Sequence, residues 1–234
     1  MTIDLIFTVI TYVVLVIFLG GFLYKIWLYA TTPAPLKIPT TPAPTSAIGV
    51  SGRLASEVIF FKSLFKGNKW IWLGGYLLHV AFFLLILRHL RYFMDPIPEI
   101  LIILQQAGIY GGMFLLVPIL YLAYRRFMVD RVRYISAFGD FFILFLLLSI
   151  VLSGIGLKYF YRTNIMDVKM FIMGILTFHP AKFPDSGLFI VHYSLILFFL
   201  VYFPFSKLMH SGGIFFSPTL NQIDNPREKR HSIS

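Results

Sequence analysis

Five long apolar runs constrain this chain more than any other feature of its sequence. Each run is about 20 residues long, the length that an α-helix needs to cross a hydrocarbon layer of ~30 Å. The runs cover roughly residues 5–24, 70–90, 100–124, 137–157 and 188–209. An isolated strand would leave its backbone groups unpaired in lipid, so all five runs are expected to be helical. The sequence therefore predicts an all-α membrane protein, a five-transmembrane-helix bundle.

Composition excludes several other classes of protein. Of 234 residues, 58% are hydrophobic and only 13% are charged, which is not the composition of a soluble domain. The net charge of +10 comes from short basic blocks between apolar runs, so we expect a lipid bilayer and no nucleic acid as the partner of this surface. The chain contains no cysteine, which excludes disulfides, thiolate zinc sites, covalently attached haem c and iron-sulfur clusters ligated by this chain.

The distribution of Lys and Arg predicts the orientation of the bundle. Fourteen of the twenty basic residues lie in the 25–69 connection, the 125–136 connection and the C-terminal end. The positive-inside rule then places the N-terminus outside and the C-terminus in the cytoplasm of a multi-pass protein of the cytoplasmic membrane. The first run lacks a basic leader and an A-x-A-like site, so we expect a retained span rather than a cleaved signal peptide. Residues 1–210 are predicted to form the membrane domain and 211–234 a cytoplasmic tail.

Three connecting segments have a character of their own. Residues 31–45 of the cytoplasmic 25–69 loop carry five prolines and are predicted to form an extended, polyproline-like linker. Residues 52–67 alternate apolar and basic side chains at helical spacing, so they lie either on the membrane surface or under a partner. Residues 168–178 are too few to span and are predicted to be re-entrant or interfacial.

The basic block at 125–133 has two interpretations. It fixes the topology of the chain, or it docks an acidic partner. Asp140 follows this block at the start of the fourth run, where we expect it to cap the helix or to pair with Arg131 or Arg133.

Four of the six histidines lie in or at the ends of the second and fifth runs: His79, His89, His192 and His210. Ionisable side chains are unfavourable in a bilayer, so they indicate a function. Antiparallel helices would place His89 opposite His192 near the outer surface and His79 opposite His210 near the inner one. The two histidines of each run are ~15 Å and ~27 Å apart along a continuous helix, so the four require two separate centres. The 18-residue interval in the fifth run equals five turns and predicts that both histidines share a face. The unequal separations must then be absorbed by tilt or by a break at Pro204.

Two imidazoles facing each other inside an apolar bundle suit haem iron, and haem b is indicated because no cysteine can attach the cofactor covalently. With both axial positions filled, such a centre transfers electrons. Two alternatives remain open, namely a proton or metal transporter lined by histidine, and a purely structural anchor. Glycines near these positions provide either room for a macrocycle or close helix packing. They are Gly74, Gly75, Gly108, Gly111, Gly112, Gly154 and Gly156.

Several stretches resemble a known family. RRFMVDRVRYISAFGDFFIL (125–144), TFH (177–179) and VHYSLILFFLVYFPFSKLMH (191–210), with the 10- and 18-residue histidine intervals, resemble the gamma subunit of respiratory nitrate reductase and its relatives, five-helix di-haem cytochromes b. The resemblance implies two haems b. It makes His79 and His210 the axial ligands of the inner haem iron, and His89 and His192 those of the outer one.

Three further stretches resemble the membrane cytochrome of the sulfite-reduction-associated DsrMKJOP complex and its archaeal counterparts. They are YATTPAPLKIPTT (29–41), GVSGRLASEVIFFKSLFKGNK (49–69) and GIFFSPTLNQIDNPREKRH (213–231). The sequence departs from that pattern in one place, where PAPT follows IPTT instead of Cys-Gly-Gln, so any role of that cysteine is absent here.

This resemblance implies an oxidoreductase subunit of a multi-subunit respiratory complex. It would pass electrons between menaquinone or menaquinol and a cytoplasmic heterodisulfide-reductase-like (DsrK-like) iron-sulfur subunit in dissimilatory sulfur (sulfite or sulfate) metabolism. The further partners implied are a second quinone-interacting membrane subunit, a periplasmic multihaem cytochrome c and an iron-sulfur protein. The alternative within the class is a nitrate reductase gamma subunit.

Quinol oxidation beside the outer haem needs a group that accepts a hydroxyl proton and a donor that holds the ring oxygen. The outer-side candidates are Arg88, Arg91, Asp95, Glu99, Gln105, Gln106, Lys169 and His179. Structural roles compete with this one. The two arginines could instead pair with haem propionates or snorkel, the two carboxylates could solvate a turn, and Gln106 could link helices.

Overall fold

The computed structural model of the chain describes residues 3–33 and 39–224, and these residues are helical wherever their secondary structure is regular. Within these described ranges, five helices are long and apolar enough to cross a membrane. They are Ile3–Thr31, Lys69–Tyr92, Gln105–Met128, Phe138–Tyr159 and Gly187–Phe205. The prediction of an all-α protein with five membrane helices is therefore confirmed. Part of the predicted proline-rich linker (34–38) and the last ten residues (225–234) lie outside the described residues.

Helices and occasional 3₁₀ turns follow one another along the described residues. In chain order they are α1 Ile3–Thr31, α2 Ala47–Phe60, α3 Lys62–Gly67, α4 Lys69–His89, α5 Glu99–Ile103, α6 Gln105–Phe114, α7 Leu116–Met128, α8 Asp130–Tyr134, α9 Phe138–Tyr159, α10 Ile165–Leu176, α11 Gly187–Tyr202, α12 His210–Gly213 and α13 Pro218–Asn221.

The fifth run is the one whose helix differs most from expectation. The α-helix ends at Tyr202, and 3₁₀ turns at Phe203–Phe205 and Lys207–Met209 follow it. Pro204 explains the break, because proline has no backbone N–H and its ring clashes with the preceding turn. Of the two ways to reconcile the histidine separations, tilt or a break at Pro204, the structure shows the break, so no continuous five-turn helix joins His192 to His210. His210 begins the separate helix α12.

Contacts divide the chain into two compact units. The first comprises residues 1–18 and 70–202. Within it α4 lies antiparallel to α6 and α7, with glycines at the crossing. A Cβ added to Gly108 would lie 2.5 Å from the Cβ of Arg88, and one added to Gly111 would lie 3.0 Å from the Cβ of Leu84. These two glycines therefore serve close helix packing.

A second core of this unit joins the start of α1 to α10 and α11. Phe171 of α10 is fully buried there, with Phe183 and Tyr193 around it. The Thr11 and Tyr193 hydroxyl oxygens are 2.8 Å apart, and Asp4 accepts a 2.8 Å hydrogen bond from the backbone N–H of Phe183. Helix α10 has 12 residues, or ~18 Å, which is too short to span, as predicted.

The second unit comprises residues 19–69 and 203–234, of which the structure describes 19–33, 39–69 and 203–224. A left-handed residue, Phe61 (φ 51°), separates α2 from α3. The buried Glu57 carboxylate stabilises this corner by accepting hydrogen bonds from the Ser63 N–H and hydroxyl, at 2.9 and 2.6 Å. The Thr40 N–H donates to the Thr219 carbonyl over 3.0 Å, so the tail is bonded to the loop.

The start of α9 confirms one of the two roles predicted for Asp140. Asp140 caps this helix, because its carboxylate accepts a 3.0 Å hydrogen bond from the backbone N–H of Ala137. The carboxylate also lies 3.5 Å from Nη1 of Arg126, a basic residue that the sequence analysis did not name as its partner. Arg133 lies 3.1 Å from Asp130, within its own short helix.

Candidate functional site

The outer histidine pair lies entirely within the first unit. His89 ends α4, and its Nδ1 lies 2.8 Å from the Leu85 carbonyl oxygen. A carbonyl oxygen only accepts, so this Nδ1 carries the proton and donates it. His192 lies on α11 of the same unit. Both residues of the pair that the sequence predicts thus belong to one compact unit.

A serine orients His192. The Ser153 hydroxyl of α9 lies 2.9 Å from Nδ1 of His192 and within 2.9 Å of the Ser149 and Ile150 carbonyl oxygens. The serine hydroxyl has a single hydrogen, which it donates to these carbonyl oxygens. Its oxygen therefore accepts the hydrogen bond from Nδ1 of His192. His192 is thus protonated at Nδ1, and its lone pair lies on Nε2.

Gly154 adjoins the same imidazole ring. A Cβ at this position would lie 3.2 Å from the ring Cε1 of His192. That distance is tighter than ordinary van der Waals contact, so a side chain here would push the ring aside. Gly156, two residues further on, contacts Leu188 of α11 instead, where a Cβ would lie 2.8 Å from the leucine. Gly154 therefore makes room for the imidazole, whereas Gly156 serves helix packing.

The other two histidines of the four predicted ligands, His79 and His210, also have Nδ1 beside a backbone carbonyl oxygen. Nδ1 of His79 lies 2.7 Å from the Gly75 carbonyl oxygen, and Nδ1 of His210 lies 2.7 Å from the Lys207 carbonyl oxygen. Both are exposed in the chain alone, and His79 is in the middle of an apolar span. His79 belongs to the first unit and His210 to the second. All four histidines thus present Nε2 as the nitrogen with the lone pair.

Arg88, next to His89, has a buried Nε with no hydrogen-bond partner among the described residues. Its side chain packs against the crossing at Gly108. Arg91 lies over the ring of Tyr92, with 5.8 Å from its guanidinium carbon to the ring centroid. A buried unpaired N–H beside an imidazole is the environment that an anionic group would satisfy.

This donor set fits haem b. It offers imidazole Nε2 lone pairs whose rings are oriented through Nδ1, and a buried cation that suits a propionate carboxylate. Within residues 3–33 and 39–224 no cluster of three or more His, Asp or Glu suggests another metal centre.

Of the eight quinone-site candidates, two are in direct contact with each other in the structure. The Lys169 ammonium of α10 donates to the Asp95 carboxylate over 2.8 Å, and this links α10 to the turn after α4. Lys169 is 16% exposed and Asp95 69% exposed, so the lysine is the more enclosed partner. His179 is exposed, and its Nδ1 donates to the Thr177 carbonyl oxygen over 2.7 Å. Within the described ranges no hydrogen bond joins any of the other six candidates to the pair.

A polar pocket of about 410 Å³ lies where α9 ends and α10 and α11 begin. None of the eight quinone-site candidates lines it. Its lining comprises Tyr161, Arg162, Thr163, Asn164, Asp167, Asp185, Ser186, Gly187 and Leu188. The Thr163 hydroxyl donates to the Ser186 hydroxyl across this pocket over 2.9 Å.

Sequence reasoning missed Ser153. A serine in an apolar helix ordinarily bonds the carbonyl of the preceding turn, and Ser153 does so as well, so its sequence position does not distinguish it. The sequence did contain a signal, namely the pair Ser153-Gly154 in the fourth apolar run. There a polar side chain is followed by a residue without a side chain.

Sequence comparison identifies the family to which this chain of five apolar helices and these four histidines belongs. The profile of the nitrate reductase gamma subunit family matches residues 62–223, and the chain belongs to this family. Among its relatives is the Hdr-like menaquinol oxidoreductase cytochrome b-like subunit of Archaeoglobus fulgidus, 35% identical over 95% of this chain and 81% of the relative. The protein of the same name from Archaeoglobus profundus is 30% identical over 97% of this chain and 81% of the relative. The predicted family resemblance is confirmed.

Proposed function

We propose that the chain is the di-haem cytochrome b subunit of a menaquinol oxidoreductase complex, an electron-transfer subunit in the cytoplasmic membrane. The observation that carries the proposal is the shared arrangement of the four histidines, each with Nδ1 bonded to a carbonyl or serine oxygen. The names of the Archaeoglobus relatives, which are menaquinol oxidoreductase cytochrome b-like subunits, support it.

In this proposal the outer haem iron is bound by His89 and His192, and the inner one by His79 and His210. The positive-inside count supports an N-terminus outside and a cytoplasmic C-terminus. Two haems b would supply one-electron oxidation and reduction, the chemistry of an electron-transfer subunit. Residues 1–210 form the membrane domain in this arrangement, and 211–234 face the cytoplasm.

The chain's own residues hold and orient the ligands. The Leu85 carbonyl and the Ser153 hydroxyl keep the protons of His89 and His192 on Nδ1, so that the lone pair of each Nε2 would be available to bind a haem iron. Arg88 provides the buried Nε–H for a propionate of the outer haem. Gly154 leaves the space that the His192 ring needs.

Quinol oxidation takes place at the outer side in this proposal. Menaquinol loses two electrons and two protons to become menaquinone. Asp95 accepts a hydroxyl proton and Lys169 donates a hydrogen bond to the ring oxygen, a division of roles that their 2.8 Å contact supports. The other candidates act around this pair. They are Arg88, Arg91, Glu99, Gln105, Gln106 and His179.

The finer identity follows the relatives. We assign electron exchange with a cytoplasmic heterodisulfide-reductase-like, DsrK-like, iron-sulfur subunit in sulfur metabolism, with a second quinone-interacting membrane subunit, a periplasmic multihaem cytochrome c and an iron-sulfur protein as further partners. The "Hdr-like" relatives favour this over a nitrate reductase gamma subunit. Co-purification of a molybdenum enzyme in place of an Hdr-like protein would reverse that choice.

The test is the absorption spectrum of the dithionite-reduced protein. We expect two distinguishable b-type haem signals, of which His89→Ala removes one and His79→Ala the other, while each variant keeps most of the remaining signal. His179→Ala is the matched control, because this exposed histidine bonds a carbonyl in the same way but is assigned to no haem. Complete, unchanged spectra in both ligand variants would refute the proposal, and a wild-type protein without b-type bands would favour the transporter.

A further inference from the structure

Two adjacent arginines at the end of α7 have different environments. Nη1 of Arg126 is 3.5 Å from the Asp140 carboxylate and donates to the Ser136 hydroxyl over 2.8 Å. Nε of Arg125 is buried and has no hydrogen-bond partner among the described residues. Because guanidinium does not lose its proton in proteins, Arg125 presents a permanent, unsatisfied donor.

Contacts tie Arg125 to the beginning of α4. Its guanidinium carbon lies 5.9 Å from the ring centroid of Tyr121. The Tyr121 hydroxyl donates to the Trp70 carbonyl oxygen over 3.1 Å, and a Cβ added to Gly74 would lie 2.7 Å from the Tyr121 ring. Gly74 precedes His79 by five residues, which is ~7.5 Å along the helix. Arg125 therefore lies toward the Lys69 end of the helix that carries His79.

The chemistry of the unsatisfied group indicates its partner. Nε–H and one Nη–H of arginine form a planar fork that matches the two oxygens of a carboxylate. Arg88 shows the same feature, a buried Nε without a partner, beside His89. Each of the two predicted haem levels thus has one arginine of this kind on a neighbouring stretch of helix.

We propose that Arg125 binds a propionate carboxylate of the haem held by His79, and thereby positions this cofactor and raises its reduction potential. The inference rests on the proposed function. Haem carboxylates stay near water because charge is unfavourable in the hydrocarbon layer, and Arg125 lies at the predicted cytoplasmic end of its span. A lipid phosphate offers the same anionic oxygens, and the experiment separates the two.

The experiment is a redox titration of the full complex in nanodiscs of zwitterionic lipid. The haem signal that His79→Ala removes is the one to follow. Arg125→Gln should lower its midpoint potential, because the uncompensated propionate stabilises the ferric form, and should leave the other haem unchanged. Arg126→Gln is the matched control and should not shift it, since that arginine already has protein partners. Arg125→Lys, which keeps the charge but not the fork, should give a smaller shift and serves if Arg125→Gln does not fold.

Infrared redox-difference spectra with haem ¹³C-labelled at the propionates give a second readout. We expect Arg125→Gln and Arg125→Lys to move the labelled carboxylate band, and Arg126→Gln to leave it in place. Potentials and bands identical to wild type in both Arg125 variants would overturn the inference. So would equal shifts in the Arg125 and Arg126 variants, or a shift in potential that leaves the labelled carboxylate band in place, which would assign a lipid phosphate. If the wild type contains both haems but the Arg125 variants show no such shifts, the inference alone is refuted. A wild type without haem b refutes the proposed function.

Discussion

The two histidine pairs differ in how their members are held. His89 and His192 belong to one compact unit, in which α9 supplies both the Ser153 hydroxyl and the space at Gly154. His79 belongs to the same unit, but His210 belongs to the second unit and follows the end of α11. Continuous helices therefore orient the first pair, whereas His210 is oriented by a short turn through the Lys207 carbonyl. Substitutions in α9 should consequently affect one haem signal and not the other.

The largest effect is expected from filling the space beside His192. Gly154→Val should remove most of the outer haem signal, because a Cβ there already approaches the ring Cε1 to 3.2 Å. The reduced absorption spectrum measures this loss. Gly20→Val is the control, since a Cβ at Gly20 meets nothing within 4 Å. Loss of both signals to the same extent would mean that α9 does not distinguish the two pairs.

Removing the oxygen that orients His192 should have the next largest effect. Ser153→Ala deletes the acceptor for Nδ1, and losing such an outer-shell partner typically weakens binding of the metal by about 10–100-fold. Haem retention during dilution or competition with apomyoglobin would measure it. Ser149→Ala, one turn earlier, removes a hydroxyl that bonds only the Phe145 carbonyl and should retain the haem. Equal retention in the two variants would contradict the role of Ser153.

The second unit offers the converse test. Glu57→Ala removes the acceptor of both Ser63 hydrogen bonds and should destabilise the α2–α3 corner by about 1–3 kcal/mol. Hydrogen exchange should quicken at the Ser63 amide while the outer haem signal stays unchanged. Glu99→Ala, at an exposed carboxylate, should leave this exchange rate as it is. A loss of the outer signal in Glu57→Ala would show that the first pair depends on the second unit.

The smallest effect on stability should come from the pair at the proposed quinol site. Lys169→Ala breaks a partly exposed ion pair, which contributes about 0.2–1 kcal/mol to the free energy of unfolding. We nevertheless expect menaquinol oxidation to fall at least several-fold, with both haem spectra retained. Stopped-flow haem reduction by a menaquinol analogue measures this. Lys158→Ala, at the last turn of α9, is the control, and equal rates in the two variants would remove Lys169 from the site.

Much of the fold was predictable because hydropathy sums over a whole span. The five runs were located correctly, since about twenty apolar residues in succession have one stable conformation in lipid. For the end of the fifth helix the sequence left tilt and a break at Pro204 as alternatives, because the effect of this proline depends on whether the surrounding turns can take up the break. The structure shows the break. The role of Asp140 as a cap was local and correct. Its pairing with Arg126 depended on how α7 faces α9, which sequence spacing does not define.

The sequence by itself determined the number of crossings, the absence of thiolate ligands and the four histidines available in the second and fifth runs. Only the tertiary structure decided that Ser153 orients His192 and that Asp95 meets Lys169 across 74 positions. It also decided that the buried Nε of Arg125 has no hydrogen-bond partner among the described residues, whereas Arg126 lies beside Asp140. The physical reason is that burial in lipid depends on the sum of local side chains. A hydrogen bond between distant residues depends instead on the rotation of each helix about its axis, and one residue changes that rotation by ~100°.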